Sequence, residues 1–196
     1  MPAQLQAMLE AAAALHDHLC PRQVLGVRIG VYAGELLGLD LPQRDKRLWT
    51  FVESDGCFAD GVAAATGCWL GRRTLRLVDL GKIAATFVDT QTGRAVRIRP
   101  SPYARDRAMQ HAPHAASRWH AYLDAYQTMP TTDLLDAQPV VLTVEMAKII
   151  SRPDVRVMCQ RCAEEIINER EVLRAGAVLC QSCAGDAYYR SADEQH

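Results

Sequence analysis

Residues 4–16, QLQAMLEAAAALH, are apolar and Ala-rich with no breaker, which predicts a first helix ending near His16. Pro21 then stands where a second helix can begin, since the first helical position loses nothing by its missing N–H. That helix, PRQVLGVRIGVYAGELLGL, sets Val24, Val27, Ile29, Val31 and Leu36 among Gly26, Gly30, Ala33 and Gly34, small residues that permit very close packing. RLWTFVES, 47–54, is β-branched and aromatic and predicts a strand. In DGCFADGVAAATG, Asp55 predicts a helix cap and Gly67 a stop. TLRLVDL and KIAATFVDT, separated by Gly81, and RAVRIRP after the turn-like TQTG predict strands, antiparallel where the connections are short.

A helical pattern returns from Tyr103 to about Met129, and Pro113 should end or kink it. PTTDLLDAQP predicts a short capped turn of helix and VVLTVEMAKI a strand. SRPDVR, 151–156, reads as a linker, because the composition changes there to a cysteine-rich tail. The expected fold class is α+β: helices packed on a mainly antiparallel sheet over 1–150, then a small four-cysteine zinc-finger module over 151–196.

Composition narrows the function classes. Hydrophobic residues make up 49% and charged residues 23%, the balance of a globular chain that can bury a core. With 22 Lys plus Arg against 23 Asp plus Glu, the formal net charge of -1 supplies no global field for nucleic acid. Apolar runs fall short of the ~20 residues that span a bilayer, and MPAQLQAMLE lacks the positive start of a signal peptide. The expected location is cytoplasmic, away from membranes.

Cys159-Gln-Arg-Cys162, then 17 residues, then Cys180-Gln-Ser-Cys183 is the strongest local signal. A CxxC in a tight turn places two thiolates on one edge of a tetrahedron, and a second CxxC closes it, so the expected ligand is structural zinc. A redox dithiol is the weaker alternative. The intervening EEIINEREVLRAGAVL fits a hairpin with Gly176 in its turn, as in a zinc ribbon or treble clef. A tail of this length cannot build its own core, so metal should supply its folding energy. Arg161, Arg170, Arg174 and Arg190 tint it basic, and Glu164, Glu165, Glu169 and Glu171 offset them.

HDHLCP, 16–21, gathers His16, His18 and Cys20 on alternate positions. Pro21 favours an extended chain before it, which would aim all three to one side and leave Cys20 at a helix N-terminus, where thiolate is favoured. A second ligand-rich stretch, ESDGCFADG, carries Glu53, Asp55, Cys57 and Asp60 at a strand-to-helix turn, and Cys68 follows eleven residues after Cys57. The two segments could converge on one pocket, with Lys82 as a nearby cation. Taken singly, each residue reads as a cap, a solvated side chain or a small buried hydrophobe. HxxH at His111 and His114, followed by His120, reads as a solvated face, since Pro113 breaks its helical spacing.

HDHLCPRQVLGVRIG, then ESDGCFADGVAAATGCWLGRRTLRLVDLGKIAATF, then CQRC and CQSC, together resemble the FmdE family, which takes its name from formylmethanofuran dehydrogenase. The likeness covers about 14–100 and the tail. The family's first motif commonly reads F-H-G-H-L-C-P-G, from which Leu15, Asp17 and Arg22 depart. The resemblance implies an α+β core, often paired into a homodimer, a treble-clef-like zinc module, and a groove lined by His16, His18, Cys20, Cys57, Asp60 and Cys68, with Lys82 nearby.

Two functions follow as expectations. One is a metal-dependent enzyme, or accessory enzyme, of one-carbon or molybdopterin-linked metabolism. Its ligands or nucleophile would be His16, His18, Cys20, Cys57 and Cys68, with Asp60 and Lys82 in support, and it would hold a second metal, zinc or another transition metal. The other is a non-catalytic zinc adaptor that docks on an oxidoreductase or on nucleic acid.

Overall fold

The Ala-rich opening forms α1, Ala3–Ala13, and Pro21 begins α2, Pro21–Leu37. The computed structural model describes residues 2–150, 152 and 154–192, so Ser151 and Pro153 of the expected linker lie outside the described residues. The chain continues through β1 (Leu48–Val52), α3 (Cys57–Thr66), β2 (Leu75–Leu77), β3 (Ala85–Asp89), β4 (Ala95–Pro100), α4 (Ala104–His111), α5 (Arg118–Thr128), α6 (Thr131–Leu134) and β5 (Leu135–Val140). These elements belong to one compact unit, Met1–Leu142, and the rest of the chain, Thr143–His196, forms another.

The first unit has five strands in the order β2-β1-β3-β4-β5, antiparallel except for β1 beside β2. Sequence reasoning pairs TLRLVDL with KIAATFVDT, and the structure separates them: β1 lies between β2 and β3. The reason is the backbone of Glu53, just past β1. Its carbonyl accepts the N–H groups of Leu80 and Lys82, and its own N–H donates to Ala84. Segment 78–84 therefore wraps the end of β1 before β3 begins.

Two further corrections concern element limits. The strand expected within VVLTVEMAKI starts earlier, as β5, and Met146–Ile150 is helical. Asp136, Gln138 and Pro139 hide this strand because it is an edge, where polar residues and proline are tolerated. Asp55 does not cap α3: Gly56 takes that place at φ 73°, in the left-handed region, and no side chain caps the helix. Gly67 ends α3 as expected, at φ 73°.

The core is centred on α2. Val24, Val27, Ile29, Phe58, Val62, Phe87, Ile98 and Leu134 are all completely buried, each stabilising by about 1.5–3 kcal/mol. Arg28 lies among them, and burial pulls its guanidinium below the usual value. It donates to the carbonyls of Tyr126 (2.7 Å) and Met129 (2.8 Å) at the end of α5, where a cation suits the helix dipole.

The second unit contains α7 (Met146–Ile150), the hairpin β6 (Arg156–Met158) and β7 (Glu165–Ile167), the hairpin β8 (Val172–Arg174) and β9 (Ala177–Leu179), and a single turn α8 (Ser182–Asp186). Gly176 sits in the second hairpin's turn with Ala175, both at positive φ (82° and 49°), as a two-residue hairpin turn requires. Among the described residues of this unit, the buried hydrophobic side chains are Cys159, Ile166 and Ala184. Such a core cannot hold the unit together by apolar burial.

Candidate functional site

Cys20 occupies the N-cap of α2 in extended conformation (φ -119°, ψ 159°), the state that Pro21 imposes on its predecessor. It forms a capping box with cysteine in the place of serine. The Gln23 N–H donates to the Cys20 sulfur, and the Cys20 N–H donates to Gln23 Oε1 at 2.9 Å. Gln23 is fully buried, and its amide donates onward to the Ala12 carbonyl at 2.8 Å, so α1 and the head of α2 are tied by one side chain.

Cys57 is the first residue of α3, and the Cys20 thiol lies close enough to share a hydrogen bond with it. Burial first, then the Cys20 sulfur, push the Cys57 thiol above its usual value, with Asp60 adding a smaller upward push. The approach of the two helices explains the meeting. A Cβ on Gly26 would strike the carbonyl of Phe58, and one on Gly61 would strike the carbonyl of Gln23. Glycine at these positions lets two helix backbones touch one turn below the two sulfurs.

Beside the thiols, His16 Nε2 and Asp60 Oδ2 are 2.7 Å apart and part-exposed. Asp60 lies in the first turn of α3, where a carboxylate suits the helix dipole. His18 is exposed, its ring 6.4 Å from that of Trp119. Glu53 is buried and held by Arg97 in two bonds of 2.6 Å. Lys82 is exposed, and its backbone N–H donates to Glu53 at 3.1 Å. Cys68 follows Gly67 at the far end of α3, about 15 Å along a ten-residue helix from Cys57. It is buried, and its thiol donates to the Leu48 carbonyl at 3.4 Å.

Of the sequence-expected groove residues, the structure therefore brings Cys20 to Cys57 and His16 to Asp60, and it holds Cys68 at the other end of the helix. His111 pairs with Thr128 (3.1 Å) and His120 with Ser117 (2.9 Å), as local polar contacts. Gln23, Gly26 and Gly61 carry the geometry, and sequence reasoning misses them as site residues. The signal that could have found one of them is Gln23 three residues after an N-cap position, the spacing of a capping box.

The tail is different in kind. The ligand atoms of Cys159, Cys162, Cys180 and Cys183 all lie within 4.8 Å of one another. Cys162 Sγ and Cys180 Sγ are 3.9 Å apart. A tetrahedron with metal–sulfur bonds of about 2.3 Å has edges of about 3.8 Å, so the thiols stand at zinc-like spacing. Backbone N–H groups of Cys162 and Cys180 pull the Cys159 thiol down to about 6, while its Cys180 neighbour pushes Cys183 up to about 12. Four sulfurs this close cannot all ionise without a cation among them. Both the donor set and its spacing fit a bound metal. Among the described residues, no other three His, Cys, Asp or Glu side chains meet the same spacing.

The tail's arginines are committed to backbone. Arg161 donates to the Cys183 carbonyl, Arg174 to that of Ala184, and Arg170 to those of Lys148 and Ile149. No helix among the described residues is long and apolar enough to cross a membrane.

Comparison with known proteins adds three findings. The family model described as FmdE, Molybdenum formylmethanofuran dehydrogenase operon, matches residues 15–136. A "Probable S-adenosyl-L-methionine-binding protein" of Archaeoglobus fulgidus is 39% identical over 98 residues, 48% of this chain and 27% of that protein. The chain thus spans about a quarter of that relative's length. The crystal structure of an FmdE-like protein of tungsten formylmethanofuran dehydrogenase, from Syntrophus aciditrophicus, shares the fold at a TM-score of 0.61, over 95% of both chains and at 20% identity. The family match takes in His16, Cys20, Cys57 and Asp60, and the four-cysteine cluster lies beyond it.

Proposed function

The chain belongs to the FmdE family, and from that premise we propose an accessory enzyme of one-carbon, molybdopterin-linked metabolism whose chemistry is carried by the thiols at the heads of α2 and α3. The observation behind this reading is the meeting of Cys20 and Cys57 beside the His16–Asp60 pair, inside the span that the family shares. Cys57, the more open sulfur, is the nucleophile, and Cys20 is its partner. Asp60 orients His16, and Lys82 supplies a cation at the rim.

Zinc occupies the four-cysteine cluster in this reading and keeps the second unit folded. A second metal at the groove would need a third ligand to close on the two thiols, because no such trio stands together among the described residues. The reaction is therefore assigned to sulfur. The family likeness also makes a cytoplasmic homodimer the working assembly, which sedimentation in solution tests directly.

The adaptor reading draws on Leu173, Tyr188 and Tyr189, large side chains exposed on the zinc unit. Alkylation of the zinc-loaded full chain with iodoacetamide, followed by peptide mapping, tests the groove. Cys57 should react first, at a rate that Asp60→Asn and His16→Ala change several-fold, while Cys68 and the tail cysteines stay protected. A Cys57 as slow as Cys68 would overturn the assignment. In a host that depends on this gene, Cys57→Ser should fail to complement, whereas an adaptor would complement fully.

A further inference from the structure

Each cysteine of this chain other than Cys20 and Cys57 has an evident occupation. Cys68 is buried and donates to a backbone carbonyl, and the remaining four form the tail cluster. Cys20 and Cys57 are instead a pair drawn from separate helices, free of a disulfide and in contact through their sulfurs. No third metal ligand stands with them among the described residues. We propose that Cys20 and Cys57 form a redox dithiol that exchanges electrons with low-molecular-weight disulfides. The proposal rests on the reading of the α2 and α3 heads as the reactive groove and names its substrate class.

The geometry assigns the two roles. Cys20 is buried at 9% exposure, with its sulfur under the Gln23 N–H, so an outside molecule cannot readily reach it. Cys57 is only partly buried and stands at the mouth of the pair. The helix backbones are pinned by the contacts at Gly26 and Gly61, which keep the second sulfur within reach of the first without movement of either helix. Small rotations of the Cys57 side chain suffice to make the bond.

Exchange proceeds in two balanced steps. The Cys57 thiol loses its proton to water, and its sulfur attacks one sulfur of the substrate disulfide. A Cys57–substrate disulfide forms, the substrate's own sulfur–sulfur bond breaks, and the released thiolate takes up a proton. Cys20 then loses its proton and attacks the Cys57 sulfur. The Cys20–Cys57 bond forms, and the second substrate thiolate leaves and is protonated. The protein loses two electrons and two protons, and one disulfide becomes two thiols. The reverse sequence, run with two thiols, restores the dithiol.

The test uses the zinc-loaded full chain equilibrated in buffers of reduced and oxidised glutathione, then alkylated and mapped by peptide mass. The expected product is a Cys20–Cys57 crosslink whose ratio to the dithiol falls with the square of reduced over oxidised glutathione, with a single midpoint. Cys20→Ser should stop at glutathione attached to Cys57, and Cys57→Ala should leave Cys20 unmodified or at least tenfold slower. Cys57→Ala removes only one sulfur from a part-exposed position, and retained zinc and secondary structure verify that it folds. Glutathione accumulating on wild-type Cys57 without a crosslink, or two thiols that stay alkylatable in every buffer, would overturn the proposal. Fast iodoacetamide modification of Cys57 combined with no crosslink would leave the reactive groove standing and remove only the redox role. Slow alkylation together with no crosslink would remove both.

Discussion

Cys20 and Cys57 are brought together by a core that packs around α2 and α3, whereas Cys159, Cys162, Cys180 and Cys183 stand together in a unit with three buried hydrophobic side chains among its described residues. In the first region packing positions the sulfur, through Gln23, Gly26 and Gly61. In the second, sulfur with its metal must position the chain. The same side chain is thus a consequence of folding in one place and its cause in the other. The two regions should respond oppositely to the same perturbations.

Metal removal should separate them most sharply. Structural zinc contributes on the order of 10–16 kcal/mol to such modules, so a chelator or Cys162→Ser should unfold β6 to β9 and spare the first unit. Hydrogen exchange reads this directly: amides of Val157, Ile166 and Val178 lose protection while those of Val27 and Phe87 keep theirs. Equal loss in both units would break the comparison.

Gly61→Ala should do the reverse. The added Cβ meets the backbone carbonyl of Gln23, which cannot swing away, and overpacking of this kind costs about 1–3 kcal/mol or more. Thermal unfolding of the first unit should shift downward by several degrees, and the Cys20–Cys57 crosslink yield should fall with it. Zinc content stays unchanged. Gln23→Leu comes next, at about 2 kcal/mol, because it strips partners from the Cys20 N–H and the Ala12 carbonyl.

Acid offers a finer comparison. Asp89 is buried, and Arg47 holds its carboxylate far below the usual range through bonds of 2.8 and 2.7 Å, with Thr92 and the Gln91 N–H in support. A carboxylate depressed in the folded state contributes stability above its unfolded pKa of about 4, and that contribution is lost as pH falls toward the folded value. Asp89→Asn should flatten the acid limb of the first unit's stability below pH ~4, as followed by denaturant titration at each pH. The smallest effect belongs to His16→Ala, expected within about 0.5 kcal/mol because the pair with Asp60 is part-exposed. Its signature lies in Cys57 reactivity instead.

Much of this was readable in the chain. Pro21 and Gly67 punctuate helices by backbone rules that tertiary structure rarely overrides, and Pro113 likewise separates α4 from α5. The tail cluster was legible because CxxC spacing encodes the geometry locally. The edge strand β5 was not, since Asp136 and Gln138 carry no apolar alternation where one side of a strand has no neighbour. Nor was the place of Cys68: its spacing of eleven from Cys57 fits one helical face, but α3 stops at Thr66 and leaves the two at opposite ends. The contact between Cys20 and Cys57 depends on Gly26 and Gly61, whose role emerges only when two helices from distant segments meet.

Native mass spectrometry of the full chain, counting zinc per chain, tests the central contrast most directly. The expected count is one in the wild type, one in Cys20→Ser and Cys57→Ser, and none in Cys162→Ser. Two zinc ions per wild-type chain, with one lost on changing Cys20 or Cys57, would contradict it by making the groove a metal site.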